Sequence, residues 1–144
     1  MQFKKIMSWI LSVICLCALF NTSAFADNSY VIGEVAPAYE YADNPTSELK
    51  ISGQTAYCTS KTEGNAVSIT VEQTLEKYSG WFWIWNDVDD ASWSKTVNRS
   101  SISFTNTKSG LDSGTYRLKS VFTLTNSSGK TETITVYSDE KTIS

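Results

Sequence analysis

The sequence predicts an all-β domain, an antiparallel two-sheet sandwich preceded by a helical signal peptide. Three observations point there. Beyond residue 46 the apolar runs are short and alternate with a period of two, as half-buried strands require. Turn-forming clusters punctuate them at Glu63-Gly64-Asn65, Tyr78-Ser79-Gly80 and Asn126-Ser127-Ser128-Gly129. After Ala26 no apolar period of 3.6 persists for ten residues, and Val, Ile, Thr, Tyr, Phe and Trp dominate the runs. One apolar sheet face must find another to cover it, so seven or eight such strands form two layers.

The chain divides into three parts: a signal peptide (1–26), an extended N-terminal arm (27–46) and the sandwich domain (47–144). Lys4 and Lys5 supply a positive start, Ile6 to Phe20 carries no charge, and Ala24-Phe25-Ala26 offers small residues at a cleavage site. The apolar run falls short of the roughly 20 residues a spanning helix needs. Neither Cys15 nor Cys17 follows the small residue that a lipoprotein signal requires. The arm is polar, with Gly33, Pro37 and Pro45 among several aromatics.

The strands follow in order. Gln54 to Lys61 sets Ala56, Cys58 and Ser60 against Thr55, Tyr57 and Thr59. Ala66 to Lys77 places Val67, Ile69 and Val71 on one face. Trp81 to Asp87 is an aromatic run, read as a strand. Ser92 to Asn98 and Ser101 to Thr107 are weaker, carrying Trp93, Val97, Ile102 and Phe104. Tyr116 to Asn126 is the clearest, with Tyr116, Leu118, Phe122 and Leu124 of one parity, broken only by Ser120. Thr131 to Ser138 and Lys141 to Ser144 close the chain.

Leu111-Asp112-Ser113-Gly114-Thr115-Tyr116 resembles the tyrosine corner of immunoglobulin-like sandwiches. The resemblance implies an immunoglobulin-like fold, with the Tyr116 hydroxyl bonded back to the backbone. Leu118 stands where antibody domains carry a disulfide cysteine, so an apolar pair replaces that bridge. A wider set of short motifs is similar to a family of small secreted β-sandwich proteins of Gram-positive bacteria, of unknown function. These motifs are Leu75-Glu76-Lys77, Gly80-Trp81, Tyr116-Arg117-Leu118-Lys119, Gly129-Lys130-Thr131-Glu132 and Tyr137-Ser138. That resemblance implies an exported β-sandwich and supplies no catalytic residues.

Composition narrows the function classes. The formal charge is −3, and losing Lys4 and Lys5 makes the remainder more acidic. Such a domain repels nucleic acid and anionic lipid. No nucleic-acid partner and no stable membrane insertion of the mature chain are expected. Histidine is absent, which removes the commonest general base and metal ligand. After the signal only Cys58 remains, so no internal disulfide is possible, and it reads as a small buried hydrophobe.

The sharpest anomaly is Trp81-Phe82-Trp83-Ile84-Trp85. As a strand it is apolar on both faces, with Trp81, Trp83 and Trp85 on one side. Either the arm or a long loop covers the second face, or it stacks glycan rings, or it contacts protein or membrane. Asp87, Asp89 and Asp90 follow. They read first as an acidic solvated turn, and otherwise as Ca²⁺ ligands or acceptors for sugar hydroxyls. Arg117 and Lys119, and Glu132 with Lys130, read as solvated faces that pair across a hairpin.

The expectation is a secreted, extracellular, non-catalytic module that binds a glycan or protein ligand at or outside the cell surface. Its candidate ligand-binding residues are Trp81, Trp83, Trp85 and Asp87. No catalytic residue, cofactor or metal site is expected. The alternatives are a carboxylate-dependent glycan-acting hydrolase and a structural envelope or matrix protein.

Overall fold

The computed structural model describes residues 38–144. The signal peptide and most of the arm lie outside the described residues. Eight strands form in this order: β1 (Ala42–Ser52), β2 (Thr55–Gly64), β3 (Ser68–Ser79), β4 (Ile84–Val97), β5 (Ser101–Lys108), β6 (Gly114–Thr125), β7 (Thr131–Tyr137) and β8 (Lys141–Ile143). One sheet has the order β1-β2-β5 and the other β4-β3-β6-β7, with β8 also pairing β6. Every pairing is antiparallel. The two sheets pack face to face as a β-sandwich.

Two boundaries differ from the sequence reading. The first strand begins at Ala42, inside the stretch read as an arm. Its pattern is mostly polar because a single face is covered and Leu49 is its deepest apolar residue. The segment Ser92 to Asn98 is not a strand of its own but the end of one long strand, β4, which also takes in Ile84 to Asp87 of the aromatic run. This strand carries an irregularity: Thr74 pairs with Ser92 and Glu76 with Asp87, so Val88 to Ala91 all stand against Leu75. Asp90 takes φ 54° there, a left-handed geometry that Asp tolerates better than most residues.

The interior is apolar in two pools with a polar belt between them. One pool gathers Ile69, Val71, Ile102, Phe122, Leu124 and Ile134. The other gathers Leu49, Cys58, Leu75, Leu111, Tyr116 and Leu118. Along the inward rows of β2, β3 and β6 stand the polar residues Ser60, Gln73 and Ser120, all fully buried. The three fall level and bond together. Gln73 Nε2 donates to Ser60 Oγ at 2.6 Å and to the Phe104 carbonyl at 3.0 Å. Asn106 Nδ2 donates to Gln73 Oε1 at 2.8 Å. Ser60 Oγ lies 2.6 Å from Ser120 Oγ, which donates to Ser47 Oγ at 2.8 Å. Among the described residues no buried side-chain nitrogen or oxygen lacks a partner, so the belt escapes the penalty of an unpaired buried group.

Tyr116 is structural. It is 1 % exposed, and its hydroxyl donates to the Asp112 carbonyl at 2.8 Å. Leu118 shares its pool with Cys58, an apolar arrangement in place of a bridge. Burial pushes the Cys58 thiol up to about 12 from 9.0. The folded state therefore holds that proton more tightly than the unfolded chain does. The stability linked to it is whole below the unfolded value and falls as pH rises from about 9 toward 12. At about pH 8 the native thiol is expected to resist an aromatic disulfide reagent and to react fully in guanidinium chloride. Fast native labelling contradicts this placement.

Candidate functional site

The aromatic run does not form the strand that its alternation predicts. The pairing of β3 with β4 ends at Ser79 and Ile84, and Gly80 to Trp83 form a four-residue turn. The Ser79 carbonyl accepts from the Phe82 N–H at 3.2 Å and from the Trp83 N–H at 2.9 Å. Gly80 opens the turn, and Trp83 closes it at φ 58°. Four-residue hairpin loops are commonly built this way. The result is a tip with no alternation of faces. Trp81 is 84 % exposed, Phe82 67 %, Trp83 82 % and Ile84 48 %.

The expected cover does not lie over the tip within the described residues. Tyr39 and Tyr41 pack on the pool around Ile69 and Phe122, beside the start of β3. Glu132 ties them there, accepting from the Glu40 and Tyr41 backbone N–H groups at 2.9 and 2.8 Å. The aromatic turn lies at the other end of β3. The rest of the arm falls outside the described residues.

Trp85 parts company with Trp81 and Trp83. It pairs with Tyr78 on the outer face of the larger sheet, half-buried, with the two rings 5.3 Å apart. The guanidinium carbon of Arg117 lies 4.1 Å from the Trp85 ring and 4.2 Å from the Tyr137 ring. Arg117 is thus stacked between two aromatics from strands on either side of β3 and β6. Its Nε donates to Glu76 Oε2 at 2.6 Å, and the Glu76 side chain is only 7 % exposed. Lys119 Nζ approaches the other carboxylate oxygen at 4.0 Å. The sequence alone suggests a solvated Arg117 pairing across the β6–β7 hairpin. Instead it pairs toward β3, because Glu76 stands directly opposite it in the β3–β6 register.

The acidic residues sit in a strand and not in a turn. Asp87, Asp89 and Asp90 are exposed on the irregular part of β4. Among the described residues no group of three or more acidic or thiol side chains is placed to hold a metal ion. Of the four candidate ligand residues, Trp81 and Trp83 share the tip, while Trp85 and Asp87 lie down the same hairpin. Sequence reasoning missed Arg117, Glu76 and Tyr137. The Glu76–Arg117 opposition follows from strand register alone, which no local motif announces.

No family model and no curated protein matches the chain. Among solved structures it is similar to OgpA from Akkermansia muciniphila, at 13% identity and a TM-score of 0.43, over 76% of this chain and 33% of OgpA. It is also similar to catalytically inactive OgpA in complex with an O-glycopeptide substrate, at 15% identity and a TM-score of 0.37, over 74% and 31% of the two chains. A CARDB domain from Pyrococcus furiosus, solved with di-metal ions, matches at 13% identity and a TM-score of 0.35, over 72% and 94%. The chain spans about a third of the length of OgpA.

Proposed function

We propose that this protein is an exported, non-catalytic β-sandwich module that binds a glycan or protein ligand at or outside the cell surface through the tip of its β3–β4 hairpin. The observation that carries the reading is the exposure of Trp81, Phe82 and Trp83 together at one turn. Each large aromatic can bury roughly 200 Å², and burying such a side chain contributes about 2–3 kcal/mol before ordering costs. A solvated tip of three has that much to gain from a partner. The positively charged start, the apolar run to Phe20 and the Ala24-Phe25-Ala26 site support export. A chain without histidine supports binding over catalysis. The strand order and the Tyr116–Asp112 contact support an immunoglobulin-like reading.

The test is retention of the purified protein on isolated cell walls and surface extracts, compared with Trp83→Ala. Trp83 is at positive φ, which costs Ala about as much as Trp, so the variant is expected to keep its melting temperature. Its retention is expected to fall about thirtyfold, the size of an aromatic hot spot. Equal retention of both proteins at equal stability removes the reading.

A further inference from the structure

The β3–β4 hairpin overhangs the smaller sheet. On the facing side, the β2–β5 pairing stops at Ala56 and Lys108, whereas β3 and β4 continue to Ser79 and Ile84. The space left under the overhang is a groove of about 410 Å³, with Tyr116 and Leu111 among its lining residues. Both are buried parts of the core. Its polar lining includes Lys77 and its register partner Asn86 on the inner face of the hairpin, with Asp89, Lys108 and Asp112. The volume falls in the roughly 300–1,000 Å³ range of small-ligand pockets.

The groove is built, not merely open. The Lys77 ammonium sits 5.4 Å from the centroid of the Tyr116 ring. Its stem crosses Gly114, where a β-carbon would come within 2.5 Å of Lys77 Cε. Tyr116 is itself pinned by its bond to the Asp112 carbonyl. One ammonium donor is therefore positioned before any ligand arrives, which lowers the ordering cost of binding.

The lining selects the chemistry. An anionic ligand meets the carboxylates of Asp89 and Asp112, and a cationic one meets the ammonium groups of Lys77 and Lys108. An apolar side chain plugged here would strip water from these charged groups and return no hydrogen bonds. A polyol fits, because every hydroxyl both donates and accepts. Ammonium groups donate to its oxygens, and carboxylates accept hydrogen bonds from its hydroxyls. The exposed tryptophans at the tip of the same hairpin then offer apolar ring faces to a neighbouring unit.

Deepening the proposed function, on which it rests, we infer that this groove is a subsite for a neutral oligosaccharide whose chain continues onto the aromatic turn. The experiment titrates the purified protein with neutral gluco-, manno-, galacto- and chito-oligosaccharides. Polygalacturonate and chitosan oligomers serve as the anionic and cationic controls. Tryptophan fluorescence and calorimetry report binding. Saturable binding to at least one neutral series is expected, with neither control competing. Lys108→Met and Asp89→Asn are each expected to weaken it about tenfold, the loss of one charge-assisted hydrogen bond, with unchanged melting temperatures. Binding lost in Trp83→Ala but unaltered in Lys108→Met and Asp89→Asn overturns the groove and leaves the aromatic module standing. Cell-wall retention that depends on Trp83 without binding to any neutral series overturns the glycan assignment in favour of a protein ligand. Preference for either charged control overturns it as well.

Discussion

Gln73→Ala is expected to destabilise the domain by about 3–4 kcal/mol, read as a fall in melting temperature of more than about 10 °C. Gln73 is fully buried and serves two donors' worth of bonding and one acceptor's. Its loss leaves the Phe104 carbonyl and the Asn106 amide short of a partner and opens a cavity between the two apolar pools. Gln73→Leu refills the space yet leaves the same groups unpaired, so about 2 kcal/mol is expected. Removing the whole belt reverses part of this. Gln73→Leu with Ser60→Ala and Ser120→Ala is expected to be more stable than Gln73→Leu alone, because fewer polar groups are stranded. Urea unfolding at constant slope measures all three. A loss below about 1 kcal/mol for Gln73→Ala contradicts a fixed network.

The belt does something that apolar residues cannot. A strand face of period two is unchanged by a two-residue slip, so hydrophobic pattern alone leaves that error cheap. Here such a slip drives Gln73 against leucine and strands every member of the network. Ser47, Ser60, Gln73, Asn106 and Ser120 come from β1, β2, β3, β5 and β6. One set of hydrogen bonds therefore sets the register of five strands across both sheets.

Much of this fold was legible in the sequence, and the failures have physical causes. Alternation exposes β3 and β6 because both faces differ sharply there, and Ser120 is visible as the one break in its row. What Ser120 bonds to is invisible, since its partners lie 60 residues away in Ser60 and 73 away in Ser47. Strand β1 escaped notice because an edge strand covered on one side needs few apolar residues. The aromatic run misled for the opposite reason. Trp81, Phe82 and Trp83 carry the residues that strands favour, but Gly80 and the left-handed Trp83 turn the chain before a ladder can form. Composition located the candidate surface, while backbone geometry decided that it is a tip and not a platform.

Arg117→Leu is expected to cost about 3 kcal/mol, because it leaves the nearly buried Glu76 carboxylate with only Lys119 at 4.0 Å. The double variant Glu76→Leu/Arg117→Leu is expected to recover most of that loss, since both charges then leave together. Arg117→Lys is the more telling substitution. A lysine keeps the charge but has no planar face to lie between Trp85 and Tyr137 while bonding Glu76. It is expected to restore less than half of the stability; full restoration shows that charge alone matters. The stack also has a mechanical consequence. The hairpin overhang is two strands without a facing sheet, an arrangement that is marginal by itself. Trp85 ties its outer face to β6 through Arg117, and Lys77 ties its inner face to Tyr116 and Gly114. Arg117→Leu is therefore expected to weaken ligand retention as well, although Arg117 itself lies outside the tip and the groove. Loss of stability with retention unchanged separates the two roles and assigns the stack to folding alone.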